Sequence, residues 1–319
     1  MTTLETLDAA AEIVHSVVPP TPQFCWPLLS RRVGGELWVK HENHTPTGAF
    51  KIRGGLVYLD DLKHSQPNIA CVISATTGNH GQSIAYAATR LGLKATIVVP
   101  HGNSPEKNRA MVGFGANLVE HGHDFQAAYE YAMTLAEREN LHPVRSFHPL
   151  LVHGVASYGL ELFRAVPDLD VVYVPIGLGS GICGVIAARE ALSLKTEIVG
   201  VVAANAATYA LSFAAGKPVA TNSANTFAGG LAVRVPDASA LDIICRHVAR
   251  IVTVTEAEMR EAVRIIFSDT HTLAEGAGAA AFAAALQERD RLSSKKVAVV
   301  QSGGNIDRPL FAEILAGSE

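Results

Sequence analysis

The chain has 319 residues, of which 48% are hydrophobic and 18% are charged, a composition typical of a folded globule and not of a disordered segment. Lysine and arginine number 26 against 30 acidic residues, and the resulting net charge of −4 lacks the basic excess that binding to a nucleic-acid backbone requires. The four cysteines form no C-x-x-C pair, which argues against a zinc cluster or a disulfide scaffold and favours a reducing, cytoplasmic setting. The N-terminus is polar and acidic, and no apolar run approaches the ~20 residues of a bilayer span, so we expect no membrane partner. From the net charge we expect no nucleic-acid partner either.

Short β-branched runs alternate along the chain with longer segments of helical spacing. This pattern is typical of a parallel sheet covered by helices, so the predicted fold class is α/β. Buried strands are predicted over 69–74, 95–99, 117–120, 144–147, 171–174, 198–202, 251–254 and 297–300. Helices are predicted over 81–90, 105–114 and 274–286, the last of them rich in alanine.

The first segment that could carry chemistry is 40–55, where a Thr-Pro-Thr-Gly turn places Lys51 between Phe50 and Ile52. A lysine removed from water has a lowered pKa and becomes nucleophilic, as Schiff-base chemistry requires. The local pattern is not specific, because most lysines at the start of a helix are solvated surface charges. Lys51 alone therefore does not decide the function.

The second segment, 74–82, lies between a predicted strand and a predicted helix and reads Ser-Ala-Thr-Thr-Gly-Asn-His-Gly-Gln. Its hydroxyls, backbone N–H groups and carboxamide are concentrated at a helix N-terminus, where a carboxylate is readily held. An ordinary capped turn would use the same residue types. Both interpretations stay open from this segment alone.

Two glycine-containing segments follow later strands. The first, 177–184, has the spacing G-x-G-x-G, which lets backbone amides approach a phosphate, whereas the dinucleotide motif G-x-G-x-x-G and the ATPase motif G-K-[ST] are absent. The second, Gln-Ser-Gly-Gly-Asn at 301–305, follows the last predicted strand, and strand ends are where ligands bind in open α/β sheets. A plain glycine turn is the alternative for each segment.

In this order, the four segments together resemble the serine/threonine dehydratase family of pyridoxal-phosphate enzymes, of fold type II, over about residues 21–305. The resemblance implies two domains, each with a central, mostly parallel sheet flanked by helices. Residues 1–69 and 149–319 would form a large cofactor-binding domain, and residues 70–148 a small substrate-cradling domain. The resemblance also implies pyridoxal 5'-phosphate as cofactor, an amino acid as substrate, and a homodimer.

The same resemblance implies roles for individual residues. Lys51 would be the Schiff-base lysine and general base, Asn79 would bind the pyridoxal 3-hydroxyl, and Ser302 would meet the pyridine nitrogen. The implied cofactor contacts are Lys51, Phe50, Asn79, Gly177, Leu178, Gly179, Ser180, Gly181, Glu275 and Ser302. The implied contacts to the substrate carboxylate are Thr76, Thr77, Gly78, Asn79 and His80. Leu178 and Ser180 stand where the family usually has glycine.

A neutral hydroxyl beside the pyridine nitrogen makes the ring a weaker electron sink than a carboxylate would, which favours elimination over transamination. We therefore expect an ammonia-lyase that converts a β-hydroxy-α-amino acid such as L-threonine or L-serine to a 2-keto acid and ammonia. Gly229 stands where the family usually has aspartate, so threo-3-hydroxyaspartate and phenylserine are alternative substrates. An amino-acid racemase using Lys51 and Thr77 is an alternative reaction, since racemases of this family have serine at the position of Thr77.

No metal site is predicted. In metal-activated relatives, carboxylates follow the strand that corresponds to 198–202, whereas this chain has none between Glu197 and Thr208. A hard divalent cation needs such oxygen ligands.

Overall fold

The computed structural model describes residues 2–317, which form two separate β-sheets with helices on their faces. The strands are β1 (Gln23–Cys25), β2 (Glu36–His41), β3 (Cys71–Ala75), β4 (Lys94–Val99), β5 (Ala116–Glu120), β6 (His142–Pro143), β7 (Val171–Pro175), β8 (Glu197–Ala203), β9 (Arg250–Val254) and β10 (Lys296–Gln301). One sheet has the order β1-β2-β10-β7-β8-β9 and the other the order β5-β4-β3-β6. Every pairing is parallel except that of β1 with β2. The predicted α/β class is confirmed.

Helices connect the strands, as parallel pairing requires. They are α1 (Leu4–His15), α2 (Pro27–Val33), α3 (Lys51–Ser65), α4 (Asn79–Arg90), α5 (Pro105–Gly113), α6 (Phe125–Glu139), α7 (Pro149–Ala165), α8 (Ser180–Ala191), α9 (Thr208–Ala215), α10 (Ala238–His247), α11 (Glu256–Thr270), α12 (Gly276–Gln287) and α13 (Arg308–Leu315). Within residues 2–317, no helix is long and apolar enough to cross a membrane.

The six-stranded sheet is buried on both faces. On one face, the alanine-rich helix α12 packs with α11 against side chains such as Val39 and Tyr173. On the other face, α7 and α8 pack against the alternate residues of the same strands, such as Val172 and Val300. Because both faces are covered, the strands have continuous apolar sequences, which explains why β-branched runs predicted them.

The four-stranded sheet also has a core on each face. Helix α6 packs on one face with Ile73 and Val98. The other face carries α4 together with α1 and α3, through residues such as Val14, Leu59 and Ile97. Helix α3, which begins at Lys51, therefore packs against the smaller sheet while its first residue follows a strand of the larger one.

The predicted strand at 144–147 is wrong. The strand in this part of the chain is β6, which ends at Pro143, just before the predicted range. The N–H of Val144 donates one further hydrogen bond to the carbonyl of Ile73 (2.8 Å) before the chain turns toward α7. Val144 is apolar because it is buried in the core beside the sheet and not because it belongs to a longer strand. The strand predicted at 69–74 begins at Cys71, and the helix predicted at 81–90 begins at Asn79.

Candidate active site

Three neighbouring strands of the larger sheet bring Lys51, Ser302 and the glycine loop to one edge. β10 lies between β2 and β7, and the three strands are parallel. Lys51 follows β2, Ser302 follows β10, and the glycine loop from Gly177 follows β7. The carboxyl end of an open parallel sheet is the general ligand-binding edge of α/β folds.

Lys51 is held at the start of α3 by contacts between two loops. The N–H of Phe50 donates to the carbonyl of Ser302 (3.1 Å), and Ala49 and Gly303 form an isolated antiparallel β-bridge. The loop before Lys51 is therefore fixed to the loop that carries Ser302. These contacts place the two predicted residues on the same side of the sheet.

The amine of Lys51 lies beside the start of α8. Its Nζ donates to Ser180 Oγ over 3.5 Å and lies 5.2 Å from the centre of the Phe50 ring. Burial lowers the pKa of Lys51 to about 8, and the negative charge of Glu275 acts in the opposite direction. At neutral pH a far larger fraction of this amine is therefore neutral and nucleophilic than for an ordinary lysine.

Gly177 and Gly179 lie at positions of the glycine loop where a side chain does not fit. A Cβ on Gly177 would lie 2.3 Å from the carbonyl oxygen of Gly230, and Gly179 has a φ of +103°, which L-residues rarely adopt. The loop leads into the N-terminus of the 12-residue helix α8, whose first N–H groups have no partner within the helix. Such a terminus binds phosphate well.

Tyr209 supports this loop from α9. Its buried hydroxyl donates to the carbonyl of Leu178 (3.0 Å) and accepts from the N–H of Asp237 (3.1 Å). The loop conformation is thus fixed although Leu178 and Ser180 replace glycines. Sequence reasoning missed Tyr209, because a tyrosine 31 residues after its partner leaves no local signal.

The predicted carboxylate cradle follows β3 of the smaller sheet and begins α4. The buried Thr76 hydroxyl accepts from the N–H groups of Gly78 (3.0 Å) and Gly81 (3.3 Å), so it shapes the turn. Thr77 is exposed, and within residues 2–317 its hydroxyl makes no hydrogen bond. His80 is buried with an unpartnered Nε2, and burial together with the charge of Lys51 lowers its pKa to about 3, which keeps the ring neutral.

A polar network joins the two sheets. Asn79 Nδ2 donates to Glu275 Oε1 (2.6 Å), and Asn79 Oδ1 accepts from Asn305 Nδ2 (2.9 Å), which also donates to the carbonyl of Thr47 (2.8 Å). Lys107 Nζ approaches Glu275 Oε2 at 3.4 Å. The sequence predicted no role for Lys107 or Asn305. Lys107 lies in a segment with the pattern of an ordinary capped helix, and Asn305 ends a glycine turn, so neither position indicates a site by itself.

A cavity of about 180 Å³ lies between the two sheets beside this network. Thr77 and Lys107 line it from one side, and Phe227, Glu275 and Asp307 line it from the other. The cavity is large enough for the side chain of a small amino acid. Among residues 2–317, no group of three or more His, Cys, Asp or Glu side chains is arranged as a metal site.

Comparison with known proteins gives a consistent result. A family model described as pyridoxal-phosphate dependent enzyme matches residues 14–303. The chain belongs to this family. Pyridoxal phosphate is therefore its cofactor, and the predicted fold type II architecture is confirmed.

Individual relatives extend the comparison. The L-threonine ammonia-lyase of Thermotoga maritima is 34% identical over 316 residues, which cover 99% of this chain and 78% of that protein. Threonine deaminase isoform 2 from Solanum lycopersicum has a TM-score of 0.90 at 27% identity, covering 99% of this chain and 95% of that one. Serine racemase from maize has a TM-score of 0.92 at 25% identity, covering 99% and 97%.

The side chains at the sheet edge fit this cofactor. Lys51 offers an amine of lowered pKa to an aldehyde, and the glycine loop offers the N-terminus of α8 to a phosphate. Ser302 is buried, and its hydroxyl makes no hydrogen bond within the described part of the chain. A hydroxyl so placed can face a ring nitrogen.

Proposed function

We propose that this enzyme is an ammonia-lyase that converts a β-hydroxy-α-amino acid of the L-threonine or L-serine kind to a 2-keto acid and ammonia. The observation that carries the proposal is the amine of Lys51, which has a pKa of about 8 and lies at the carboxyl edge of the sheet beside the glycine loop. A neutral amine at this place can accept a proton from Cα. The names of the Thermotoga and Solanum relatives support the substrate class.

Pyridoxal phosphate, when bound, supplies the electron sink that stabilises negative charge at Cα. We assign Lys51 two tasks, namely holding the cofactor and accepting the Cα proton. Ser302 would face the pyridine nitrogen, and because its hydroxyl does not hold a proton there as a carboxylate would, elimination is favoured over transamination. The further cofactor contacts that we propose are Phe50, Asn79, Gly177, Leu178, Gly179, Ser180, Gly181 and Glu275.

We assign the substrate carboxylate to the N-terminus of α4. The first N–H groups of this helix have no partner within the helix, and the positive end of its dipole favours an anion. Thr76, Thr77, Gly78, Asn79 and His80 would contact the carboxylate. The Thr76 hydroxyl oxygen already accepts from two N–H groups, and its O–H is left to donate to the carboxylate.

The larger-scale organisation is also a proposal. Residues 70–148 would form the small substrate-cradling domain, and residues 1–69 and 149–319 the large cofactor-binding domain; residues 1, 318 and 319 lie outside the described part. We further propose a homodimer in the cytoplasm, where the free cysteines of the described chain would stay reduced. Light scattering and cell fractionation test these two statements.

The test is keto-acid release by the cofactor-loaded enzyme from L-threonine, L-serine, L-threo-3-hydroxyaspartate and L-threo-3-phenylserine. Lys51→Ala should abolish release. Lys63→Ala is the matched control, because Lys63 lies on the same helix, donates to the carbonyl of Pro67 (2.8 Å), and should leave turnover unchanged. Turnover retained by Lys51→Ala would overturn the mechanism, and silence on all four amino acids would overturn the proposed reaction.

A racemase is the second candidate, favoured by one observation. The hydroxyl of Thr77 lines the cavity and makes no hydrogen bond within residues 2–317, so it is available as a second acid or base. Chiral analysis of the amino acid left after incubation separates the two reactions. Inversion at Cα that disappears in Thr77→Ala, without keto-acid release, would establish the racemase instead of the lyase.

A further inference from the structure

Lys107 reaches from the smaller sheet to a carboxylate supported by the larger one. Its Nζ lies 3.4 Å from Glu275 Oε2, and the side chain of Glu275 is only 7% exposed. The stem of Lys107 lies so close to Gly78 that a Cβ there would be 2.7 Å from its Cδ. The aliphatic part of the Lys107 side chain therefore packs against the turn that begins α4.

The start of α5, which carries Lys107, is held by hydrogen bonds to neighbouring residues. Its N–H donates to Ser104 Oγ (3.1 Å), which in turn donates to Asp307 Oδ1 (2.5 Å). Glu106 Oε2 accepts from the N–H of Arg308 (3.1 Å). These contacts dock the start of α5 against the loop that follows β10, so the backbone that carries Lys107 is held next to this loop.

Glu275 connects Lys107 to Asn79. One carboxylate oxygen accepts from Asn79 Nδ2 (2.6 Å) and the other faces Lys107, while the Glu275 N–H donates to the carbonyl of Gly303 (3.1 Å). The carboxylate is tightly confined, because a Cβ on Gly303 would lie 2.6 Å from Oε1. Moving this carboxylate would move the Asn79 amide with it.

We propose that Lys107 is a positioning residue for the reaction: its ammonium group fixes the charged Glu275 carboxylate, which in turn orients the Asn79 amide. Lys107 on α5 and Lys51 on α3 interact electrostatically with Glu275, and Asp307 after β10 lines the same cavity. Lys107 balances Glu275 and thereby limits the effect of this carboxylate on Lys51. The inference rests on the proposed function only for its rate measurements.

The experiment compares Lys107→Met, Lys107→Arg and the control Arg109→Met in the cofactor-loaded enzyme. Arg109 is an exposed cation on the same helix, so its loss matches the change in net charge. The first readout is the pH at which the visible absorbance of the bound cofactor lies halfway between its acid and its alkaline value, measured without amino acid. This pH is the midpoint. Lys107→Met should raise this midpoint by about half a unit, less than the ~1–3 units that a directly paired charge produces.

The second readout is kinetic. Lys107→Met should lower kcat roughly 10- to 100-fold, because the Asn79 amide that it misplaces contacts both the cofactor and the substrate carboxylate. A rise in KM should occur only together with the shifted midpoint. Lys107→Arg should restore both the midpoint and kcat in large part. In a Glu275→Gln background, Lys107→Met should have no further effect, since its target is gone.

Three outcomes would overturn the proposal. The first is that the midpoint of Lys107→Met coincides with that of Arg109→Met. The second is that KM rises for every amino acid at an unchanged midpoint, which would make Lys107 a substrate contact. The third is that the effects of Lys107→Met and Glu275→Gln add. If Lys107→Met does not fold, Lys107→Gln is measured in the same way. The midpoint is measured without substrate. A failure of the proposed lyase reaction can therefore be distinguished from a failure of the role proposed for Lys107.

Discussion

Two opposing effects set the protonation of Lys51. Removal from water disfavours the ammonium form, and the nearby carboxylate of Glu275 favours it. Desolvation is the larger effect, and the pKa is therefore lowered from 10.5 to about 8. The sequence predicted the apolar neighbours Phe50 and Ile52, but the carboxylate that moderates the effect lies 224 positions further along the chain.

The capture of pyridoxal phosphate by the apoprotein should therefore depend on pH with a midpoint near 8. Only the neutral amine attacks an aldehyde, so the rate should rise as Lys51 loses its proton and level off above this value. Stopped-flow absorbance measures the rate directly. Glu275→Gln should move the midpoint to lower pH, since the charge that it removes raises the pKa of Lys51. A rate that still climbs at pH 10 would contradict the assignment.

At the scale of elements, the sequence predicted the parts that repeat a simple pattern. Most strands of both sheets were found, because a strand buried on both faces is a continuous apolar run. The short antiparallel strand β1 and its neighbour β2 were missed, since β1 has only three residues and β2 carries the polar Lys40 and His41. The strand predicted around Val144 was wrong because apolar character reports burial and not strand length.

The residues of the site could be predicted as four separate segments but not as a network. The ends of β2, β10 and β7 are adjacent only through the strand order, which no local pattern encodes. Lys107, Asn305 and Tyr209 act through partners that lie far along the chain or follow the pattern of an ordinary helix or turn. Such contacts depend on tertiary packing, and for this reason the sequence alone did not indicate them.

The glycine loop gives a prediction at this scale. In Gly177→Ala, the new methyl group would meet the Gly230 carbonyl oxygen at 2.3 Å, so the loop must shift away from Gly230. Overpacking of this kind costs about 1–3 kcal/mol. If the loop holds the phosphate, the Kd for pyridoxal phosphate should rise about 10-fold or more.

Gly113→Ala is the matched control for this change. A Cβ on Gly113 meets nothing within 4 Å and lies at the end of α5, so cofactor binding should not change. Titration of the apoprotein by fluorescence measures both variants. Equal Kd values for Gly177→Ala and Gly113→Ala would remove the glycine loop from the cofactor site.

At the scale of the whole molecule, a buried cluster of charges holds α3 in place. Arg53, two residues after Lys51, is fully buried and donates to both oxygens of Glu42 (2.7 and 3.0 Å) and of Glu161 (2.5 and 3.0 Å). Lys40 Nζ donates to Glu161 Oε2 (2.6 Å). The cluster thus joins α3, β2 and α7, and its two cations balance its two carboxylates.

Such a cluster does not stabilise a fold merely by being buried, because desolvation of the charges opposes their attraction. Removing one partner is nevertheless costly, since it leaves an uncompensated charge in the interior. Glu161 is the member on which Arg53 and Lys40 converge, and these two cations hold the pKa of Glu161 well below its ordinary value of 4.5. Neutralising Glu161 should therefore affect the whole molecule and not only α7.

Glu161→Gln should lower the free energy of unfolding by about 3–5 kcal/mol at neutral pH. The depressed pKa means that the carboxylate of Glu161 contributes stability above pH 4.5, and that this contribution is lost progressively as the pH falls below that value. The variant should accordingly show a weaker loss of stability in acid than the wild type.

Glu190→Gln is the control, because Glu190 is half exposed in its pair with Arg189 and should change stability by at most about 1 kcal/mol. Urea unfolding from pH 7 to pH 3 measures all three proteins, and equal stabilities of Glu161→Gln and Glu190→Gln would show that the cluster does not hold the fold together.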